Sequence, residues 1–208
     1  MFTGIVQGVA TIVAVTKTPD IVRLEVEFPG RALDALQQGA SISLDGCCLT
    51  VTKFSQKKAA FDLVPETLAR TTFGVREVGA RVNFERSLKF GDEVGGHILS
   101  GHVDVVASIS ALRTIEQSRV VTFKVEKVWT KYLFVKGYVA INGASLTITG
   151  VDKDSGEFTV SLIPETLAKT TLGEARVGDR VNVEIDRSTQ AIVDTVERVM
   201  EAQRGCVA

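Results

Sequence analysis

Two histidines are the side chains of this sequence best suited to proton transfer, and both lie in one glycine-rich segment. The segment reads Gly95-Gly96-His97-Ile98-Leu99-Ser100-Gly101-His102. Its glycines allow backbone and imidazole to approach a ligand closely, although either histidine also fits a linker or core position. The histidines lack the i, i+4 spacing of a helical zinc pair, and Cys47 and Cys48 are adjacent rather than part of a Cys-x-x-Cys motif. We therefore expect no metal site.

Two further candidates come from a pair of related segments. Asp45-Gly46-Cys47-Cys48-Leu49-Thr50 aligns with Asn142-Gly143-Ala144-Ser145-Leu146-Thr147, so that Cys48 corresponds to Ser145. Each can act as a nucleophile or as a polar contact. His102 similarly corresponds to Ile5 when Gly101-His102-Val103 is aligned with Gly4-Ile5-Val6. Such differences at matched positions indicate divided roles, whereas Cys47, on the opposite strand face, is expected to be a small buried hydrophobe.

The composition excludes several classes of partner. Lys and Arg number 24 against 25 Asp and Glu, giving a net charge of −1 and no field that would attract nucleic acid or an anionic membrane. No apolar stretch approaches the roughly 18 residues of a membrane span, and the N-terminus does not resemble a secretory signal. The three cysteines form an odd set, which favours a reducing cytoplasm. No phosphate loop, dinucleotide fingerprint or Ser-His-Asp spacing is present.

The elements that must position these residues occur twice. Residues 64–74 (VPETLARTTFG) return as residues 163–173 (IPETLAKTTLG), with 8 of 11 positions identical. The two copies run from Met1 to about Arg86 and from about Ile98 to Arg187. We assign the first barrel and a linker to residues 1–97, the second barrel to residues 98–187, and a helix with its tail to residues 188–208.

Within each copy the hydrophobic period is two, which predicts strands. Val22, Leu24 and Val26 alternate with charged residues, and about six such runs fit in each copy. Asp45-Gly46 and Asn142-Gly143 predict type I′ hairpin turns. The expected fold is all-β, with two tandem six-stranded antiparallel Greek-key barrels, because a unit this small must close to cover its edges. Pro-Glu at the start of each repeated motif predicts a short helical turn.

A helix of about four turns is expected after Asp186, where the apolar period changes to that of a helix. Ile192, Val196 and Val199 share one face. This face either packs on the second barrel or joins copies of the chain, since the first copy of the repeat has no counterpart of the helix.

Several motifs, in order, resemble those of the riboflavin synthase family (alpha chain). They are residues 1–8 (MFTGIVQG), residues 46–51 (GCCLTV), residues 95–102 (GGHILSGH) and the doubled PETL motif. The resemblance covers residues 1–200. It implies a reaction without metal or organic cofactor in which two molecules of 6,7-dimethyl-8-ribityllumazine give riboflavin and 5-amino-6-ribitylaminouracil. A four-carbon unit passes between them, and two similar pockets suit two copies of one substrate.

The resemblance also implies the residues of the two pockets. The first pocket would use Gly4, Ile5, Val6, Ser41, Cys48, Leu49, Thr50, Asp62, Leu63, Val64, Pro65, Glu66 and Thr67. The second would use Gly101, His102, Val103, Lys136, Ser145, Leu146, Thr147, Ser161, Leu162, Ile163, Pro164, Glu165 and Thr166, with Asp186 nearby. Judged without the resemblance, Lys136 fits a solvated charge better than a binding residue.

The catalytic assignment follows from the chemistry of this substrate. Its C7 methyl is acidic because the anion is delocalised over the ring, so a modest base suffices. His102 is the leading candidate for proton transfer, and Cys48, Ser145 or water could add to C7.

A non-catalytic lumazine or flavin carrier on the same fold is the alternative, but such a carrier is expected to lose the polar set in one barrel. Both sets stand here. The resemblance further implies a cytoplasmic homotrimer built through the C-terminal helix, with each site between the first barrel of one chain and the second barrel of its neighbour. Association with lumazine synthase stays open.

Overall fold

The computed structural model describes residues 1–205 and contains two closed barrels followed by a helix. The first barrel comprises β1 (Gly8–Lys17), β2 (Val22–Glu27), β3 (Ser41–Leu44), β4 (Cys47–Phe54), β5 (Lys58–Leu63) and β6 (Arg81–Arg86), with α1 (Pro65–Arg70) between the last two. The second comprises β7 (Val105–Ile115), β8 (Ser118–Lys124), β9 (Tyr138–Ile141), β10 (Ala144–Asp152), β11 (Glu157–Leu162) and β12 (Arg180–Ile185), with α2 (Pro164–Lys169) before β12 and α3 (Arg187–Gly205) after it. The predicted fold class is confirmed. Residues 206–208 of the expected tail lie outside the described part.

Both barrels have the same strand order, β1-β2-β5-β4-β3-β6 and β7-β8-β11-β10-β9-β12, with every pair antiparallel. Even the irregularities match. The register between β1 and β2 shifts at Ile12/Ala14, and that between β7 and β8 shifts at Ile109/Ala111. Bulges at corresponding places bend the strands and increase their twist, which helps such short sheets to close.

Alternation along the strands fills each barrel with its own apolar core. Leu24, Ile42 and Phe61 are fully buried in the first, while Phe123 and Phe158 stack at 5.3 Å in the second. Outward positions on the same strands stay polar or half-buried. The strands therefore present one face to a core and the other to a surface where a ligand can lie.

The two predicted type I′ turns are confirmed, and they contact each other. Asp45 and Gly46 have φ of 43° and 80°, and Asn142 and Gly143 have 45° and 80°. A Cβ on Gly46 would lie 2.8 Å from the backbone nitrogen of Gly143, and one on Gly143 would lie 2.9 Å from that of Gly46. Glycine is needed here both for positive φ and for the close approach of two backbones.

Two asparagines at matched positions of β6 and β12 join the barrels through reciprocal hydrogen bonds. The Asn83 amide donates to the carbonyl of Asn142 at 2.9 Å, and the Asn182 amide donates to that of Asp45 at 2.9 Å. Both asparagines are about 1% exposed. Buried reciprocal bonds of this kind fix the orientation of one barrel relative to the other.

The C-terminal helix α3 has 19 residues, about one turn more than the sequence pattern predicted. One of its faces packs on the second barrel, where Val193 contacts the core and the Tyr132 hydroxyl donates to Asp194 at 2.6 Å. The apolar side chains of Ile192 and Val196 lie exposed. Within residues 1–205, no helix combines the length and apolarity required to cross a membrane.

Candidate functional site

The chain exchanges its segments between the barrels, which corrects one expectation. Gly4, Ile5 and Val6 do not line the first pocket; they lie against the second barrel, where Val6 joins the core. Gly101, His102 and Val103 lie against the first barrel, and Val103 packs on its core. The repeat alignment correctly paired the two segments, but each serves the barrel of the other copy.

Backbone hydrogen bonds hold the exchanged segments in place. The Ser145 amide donates to the carbonyl of Gly4 at 2.8 Å, and the Cys48 amide donates to that of Gly101 at 2.7 Å. Phe2 and Leu99 form an antiparallel bridge between the two segments. The exchange is therefore built into the backbone on both sides of the molecule.

Two buried glutamates anchor these segments, and the sequence analysis did not single them out. Glu85 accepts hydrogen bonds from the amides of Thr3 and Gly4 at 2.6 and 3.0 Å. Glu184 accepts from the amides of Ser100 and Gly101 at 2.7 and 3.0 Å. Burial raises the pKa of both carboxyls, and the hydrogen bonds oppose that shift. The signal was a glutamate at matched, inward-lying places in two strands, RVNFER and RVNVEI.

The first-barrel pocket has a volume of about 590 Å³ and contains Cys48. Other predicted residues on its wall are Val64, Glu66, Thr67, Gly101, His102 and Val103. Cys48 is half-buried and free, whereas burial raises the pKa of the neighbouring Cys47 to about 12. Cys47 is thus the inert thiol that the sequence predicted, and Cys48 is the accessible one.

The second-barrel pocket has a volume of about 510 Å³ and contains Ser145. Other predicted residues on its wall are Gly4, Ile5, Val6, Ile163, Glu165 and Thr166. Ser145 Oγ lies 2.6 Å from Nδ1 of His97, whose ring stacks on Tyr138 with centroids 5.0 Å apart. A serine hydroxyl hydrogen-bonded to an oriented imidazole is the arrangement used to activate a nucleophile.

His97 is held in the neutral form that can accept a proton. Burial lowers its pKa, and the nearby Asp186 carboxylate opposes that shift. Burial also opposes the ionised form of Asp186, but hydrogen bonds from the Thr189 hydroxyl and amide hold the pKa of this carboxyl below its usual value. A base beside a serine and near a fixed carboxylate is therefore present in the second barrel.

The sequence pattern around His97 fits a linker or core residue equally well and so does not reveal this pair. His97 has no counterpart in the first copy, because that copy begins at the position equivalent to Ile98. A comparison of matched positions could not reveal it. The signal available in the sequence was the glycine that precedes His97. The structure shows why glycine stands there, because a Cβ on Gly96 would lie 2.3 Å from the carbonyl oxygen of Thr3 and 2.7 Å from Ser145 Cβ.

Other predicted residues form outward-facing rows beside the pockets. On the first barrel, Ser41 pairs with Thr50, and Asp62 forms a two-point ion pair with Arg23 at 2.6 and 2.7 Å. On the second barrel, Thr147 pairs with Tyr138. Exposed Ser161 follows on the next strand, as Asp62 does on the first barrel. The row on the first barrel therefore carries an ion pair, and the corresponding positions on the second barrel carry no charge.

The structure does not bring every predicted side chain to a pocket. Leu49, Leu63, Leu146 and Leu162 are buried in the barrel cores, so only their backbone groups can face a ligand. Pro65 and Pro164 begin α1 and α2 as predicted. Lys136 is exposed and is not among the residues lining the second-barrel pocket.

Comparisons with known proteins agree with this architecture. The lumazine binding domain family matches twice, at residues 3–87 and 100–186. The chain is 47% identical to a riboflavin synthase of Escherichia coli (strain K12) over 208 residues, covering 100% of this chain and 97% of that protein. It is 44% identical to one of Chlamydia pneumoniae, covering 96% and 97%. The structure of LumP complexed with riboflavin superposes with a TM-score of 0.83 at 30% identity, covering 90% of this chain and all of that one.

Proposed function

Because this chain belongs to the riboflavin synthase family, we propose that its two pockets bind the two substrate molecules of one reaction. The activity is that of riboflavin synthase (EC 2.5.1.9), in which one molecule of 6,7-dimethyl-8-ribityllumazine transfers a four-carbon unit to a second, so that the acceptor leaves as riboflavin and the donor as 5-amino-6-ribitylaminouracil. The observation that carries the proposal is the pair of matched pockets, one on each barrel. Fixing two copies of one molecule face to face can supply much of the rate enhancement.

In this proposal the second barrel supplies the activated nucleophile. Ser145 Oγ forms a bond to C7 of one lumazine, the π bond at C7 breaks and its electron pair is delocalised over the ring, and the hydroxyl proton passes to Nδ1 of His97, which lies 2.6 Å away. The stacking of His97 on Tyr138 holds the ring in position for this transfer. Burial lowers the pKa of His97 and so favours its neutral form, and in the tautomer that carries hydrogen on Nε2 the Nδ1 atom accepts this proton.

The first barrel supplies the second reacting partner. His102 and Cys48 both line its pocket, and His102 is exposed at the rim, where it can take a proton from the acidic C7 methyl. The carbonyl of His102 accepts a hydrogen bond from Arg187 at 2.7 Å, which fixes the backbone that carries the imidazole. Cys48 then serves as a polar contact or as the alternative nucleophile.

A reaction between two lumazines requires that two pockets meet, and we propose that they meet between chains. The exposed apolar residues of α3, at positions 192, 196 and 199, support a homotrimer joined through this helix. The first barrel of one chain would then face the second barrel of its neighbour. In this proposal the first barrel with its linker ends at residue 97, the second barrel ends at residue 187, and the helix with its tail follows.

We also propose that the protein works in the cytoplasm. Cys47 and Cys48 are free thiols, which suits a reducing compartment.

Association with lumazine synthase would bring the substrate to the site. Co-sedimentation of the two purified proteins tests it, and independent sedimentation at all concentrations would contradict it.

The activity is tested by incubating the purified protein with 6,7-dimethyl-8-ribityllumazine and separating the products by chromatography. One riboflavin is expected for every two lumazines consumed. Tight binding of lumazine without riboflavin would instead identify a carrier. The Ser145→Ala variant should lose most of the turnover. Ser110→Ala should retain it, because the Ser110 hydroxyl of the same barrel donates, among residues 1–205, only to the carbonyl of Thr122.

A further inference from the structure

The two substrate pockets are built from matched residues, with two exceptions. Within residues 1–205, every residue that lines the second-barrel pocket has a counterpart that lines the first-barrel pocket. The first-barrel pocket is lined in addition by Trp129 and Arg187, which have no such counterpart there. Arg187 is the first residue of α3, and residues 87–104, which follow the first barrel, form no such helix. The start of α3 therefore contributes a side chain to one pocket only.

Each exchanged segment is anchored in the same way at its far end. The side chain of Gln7 accepts a hydrogen bond from the Arg86 amide at 3.0 Å, and the side chain of Asp104 accepts one from the Ile185 amide at 2.8 Å. Gln7 and Asp104 occupy matched positions of the repeat. Together with the two buried glutamates, these bonds hold both segments alike. They do not single out the segment that carries His102.

Arg187 adds a further anchor to one segment only. Its guanidinium donates to the backbone carbonyl of His102 at 2.7 Å, to Oδ1 of Asp104 at 2.9 Å and to Oγ of Ser100 at 3.3 Å. The matched position in the first copy is Leu88, which has no polar side-chain atom. A planar guanidinium has its donors in a fixed fork and so holds several acceptors at set positions. The additional anchor thus occurs on the segment with a titratable histidine and not on the segment with isoleucine at the same place.

The guanidinium is itself held in place by its surroundings. Arg187 donates to Oε1 of Gln190, three residues along α3, at 2.6 Å. The side chain of Asp104 is only 8% exposed, and a carboxylate buried to this extent needs a paired charge. The preceding residue, Asp186, accepts hydrogen bonds from the amide and the hydroxyl of Thr189 at 2.9 and 2.7 Å, which fixes the first turn of the helix. The position of the guanidinium is therefore set by the start of α3.

We propose that Arg187 positions the segment that carries His102, so that the C-terminal helix takes part in the first-barrel pocket as well as packing on the second barrel. This inference rests on the function proposed above, in which His102 takes a proton from one of the two lumazines. Arg187 is a positioning residue, because its hydrogen bonds go to protein groups that carry or flank the base. A base must lie within hydrogen-bond reach of the proton that it removes, and a misplacement of about 1 Å lowers a rate by about 10²-fold.

The first measurement is the turnover of Arg187→Met, which keeps an unbranched side chain and removes every donor. The kcat for riboflavin formation should fall by about 10–100-fold, while KM should change by less than about twofold, because the contact acts on the base and not on the bound substrate. Riboflavin binding at this pocket is followed by the fluorescence of Trp129, the single tryptophan of the chain, and its Kd should stay within about twofold of the parent. Arg198→Met is the matched control, since Arg198 lies on α3 and donates to the carbonyl of Asp194 in the same helix, and it should keep the parent kcat.

The second measurement follows the histidines themselves and does not depend on turnover. The chain has two histidines, so ¹³C labelling of imidazole Cε1 gives two NMR signals, and His102→Gln assigns them. Arg187→Met should shift or broaden the His102 signal. The signal of His97, which is buried and stacks on Tyr138, should stay where it is. If the parent formed no riboflavin, the proposed function would fail, and the NMR spectra would still decide the role of Arg187.

The proposal is overturned by an unchanged His102 signal, or by an unchanged kcat in an active parent. Equal changes of both histidine signals would also overturn it, because they would indicate a general loosening of the fold. A rise of KM with kcat unchanged would make Arg187 a substrate-binding residue instead. Arg187→Lys is the second variant if the methionine variant does not fold. It keeps a charge beside Asp104 without the fork of donors, and it should lower kcat and shift the His102 signal in the same direction.

Discussion

Replacing Gly101 by alanine tests whether the exchanged segment is as tightly held as its contacts indicate. Gly101 has φ of 78°, and a Cβ at this position would lie 2.6 Å from Cys48 Cβ and 2.9 Å from a ring carbon of Phe2. The residue cannot move aside easily, because its amide donates to Glu184 at 3.0 Å and its carbonyl accepts from the Cys48 amide at 2.7 Å. The new methyl group therefore meets a fixed surface.

The loss of stability expected for Gly101→Ala is the sum of two costs. A left-handed backbone conformation costs an alanine about 1–2 kcal/mol, and overpacking a buried contact costs about 1–3 kcal/mol more. Gly91 is the matched control, since it has φ of 94° but no atom within 4 Å of the position of a Cβ. Gly91→Ala should thus show only the first cost, and Gly101→Ala should be less stable than this control by about 1–3 kcal/mol.

Urea unfolding followed by fluorescence measures both variants against the parent. The midpoint should fall further for Gly101→Ala than for Gly91→Ala, with the slope unchanged in each. Riboflavin formation should also fall in Gly101→Ala alone, because Cys48 must shift to admit the methyl group. If both variants lost the same stability, the close contact between the exchanged segment and the first barrel would be refuted.

Three further predictions concern the base, the buried carboxyl and the helix. His97→Gln should lower kcat by about 10²–10⁴-fold, and unchanged turnover would remove His97 from the mechanism. Burial raises the pKa of Asp45 from 3.8 to about 6, so its contribution to the free energy of unfolding is complete below pH 4 and is lost as the pH rises through 6. The stability of the parent relative to a variant with Asp45→Asn and Arg76→Ala, which removes this carboxyl together with its ion-pair partner, should therefore fall between pH 4 and 7, and parallel curves would contradict this. Ile192→Gln with Val196→Gln should lower the mass in sedimentation, whereas an unchanged mass would exclude this face of α3 from the assembly.

The barrels were predictable because two signals in the sequence agree. The doubled motif at residues 64–74 and 163–173 fixes the number of units, and the period of two fixes the strands. The turns at Asp45-Gly46 and Asn142-Gly143 were also predictable, since positive φ at two successive positions has a strong residue signature. These features depend on local preferences that a sequence records directly.

The exchange of segments was not predictable in the same way. An alignment of repeats shows that Gly4 corresponds to Gly101 but carries no information about which barrel each contacts. Either arrangement would present the same residue types to the same kinds of pocket. The choice depends on the path of residues 87–100 between the barrels, which leads Gly101 to Cys48 and leaves Gly4 for Ser145.

The exchange also governs when a pocket is complete during synthesis of the chain. Residues 4–6 are made more than a hundred residues before Ser145 and residues 163–170, which complete the pocket that residues 4–6 line. The first barrel likewise lacks its outer wall until residues 101–104 have emerged. A nascent chain can therefore close its first core early and still lack a finished pocket. The order of translation therefore delays the completion of both pocket walls, so that each pocket is finished only after residues of the other copy have been made.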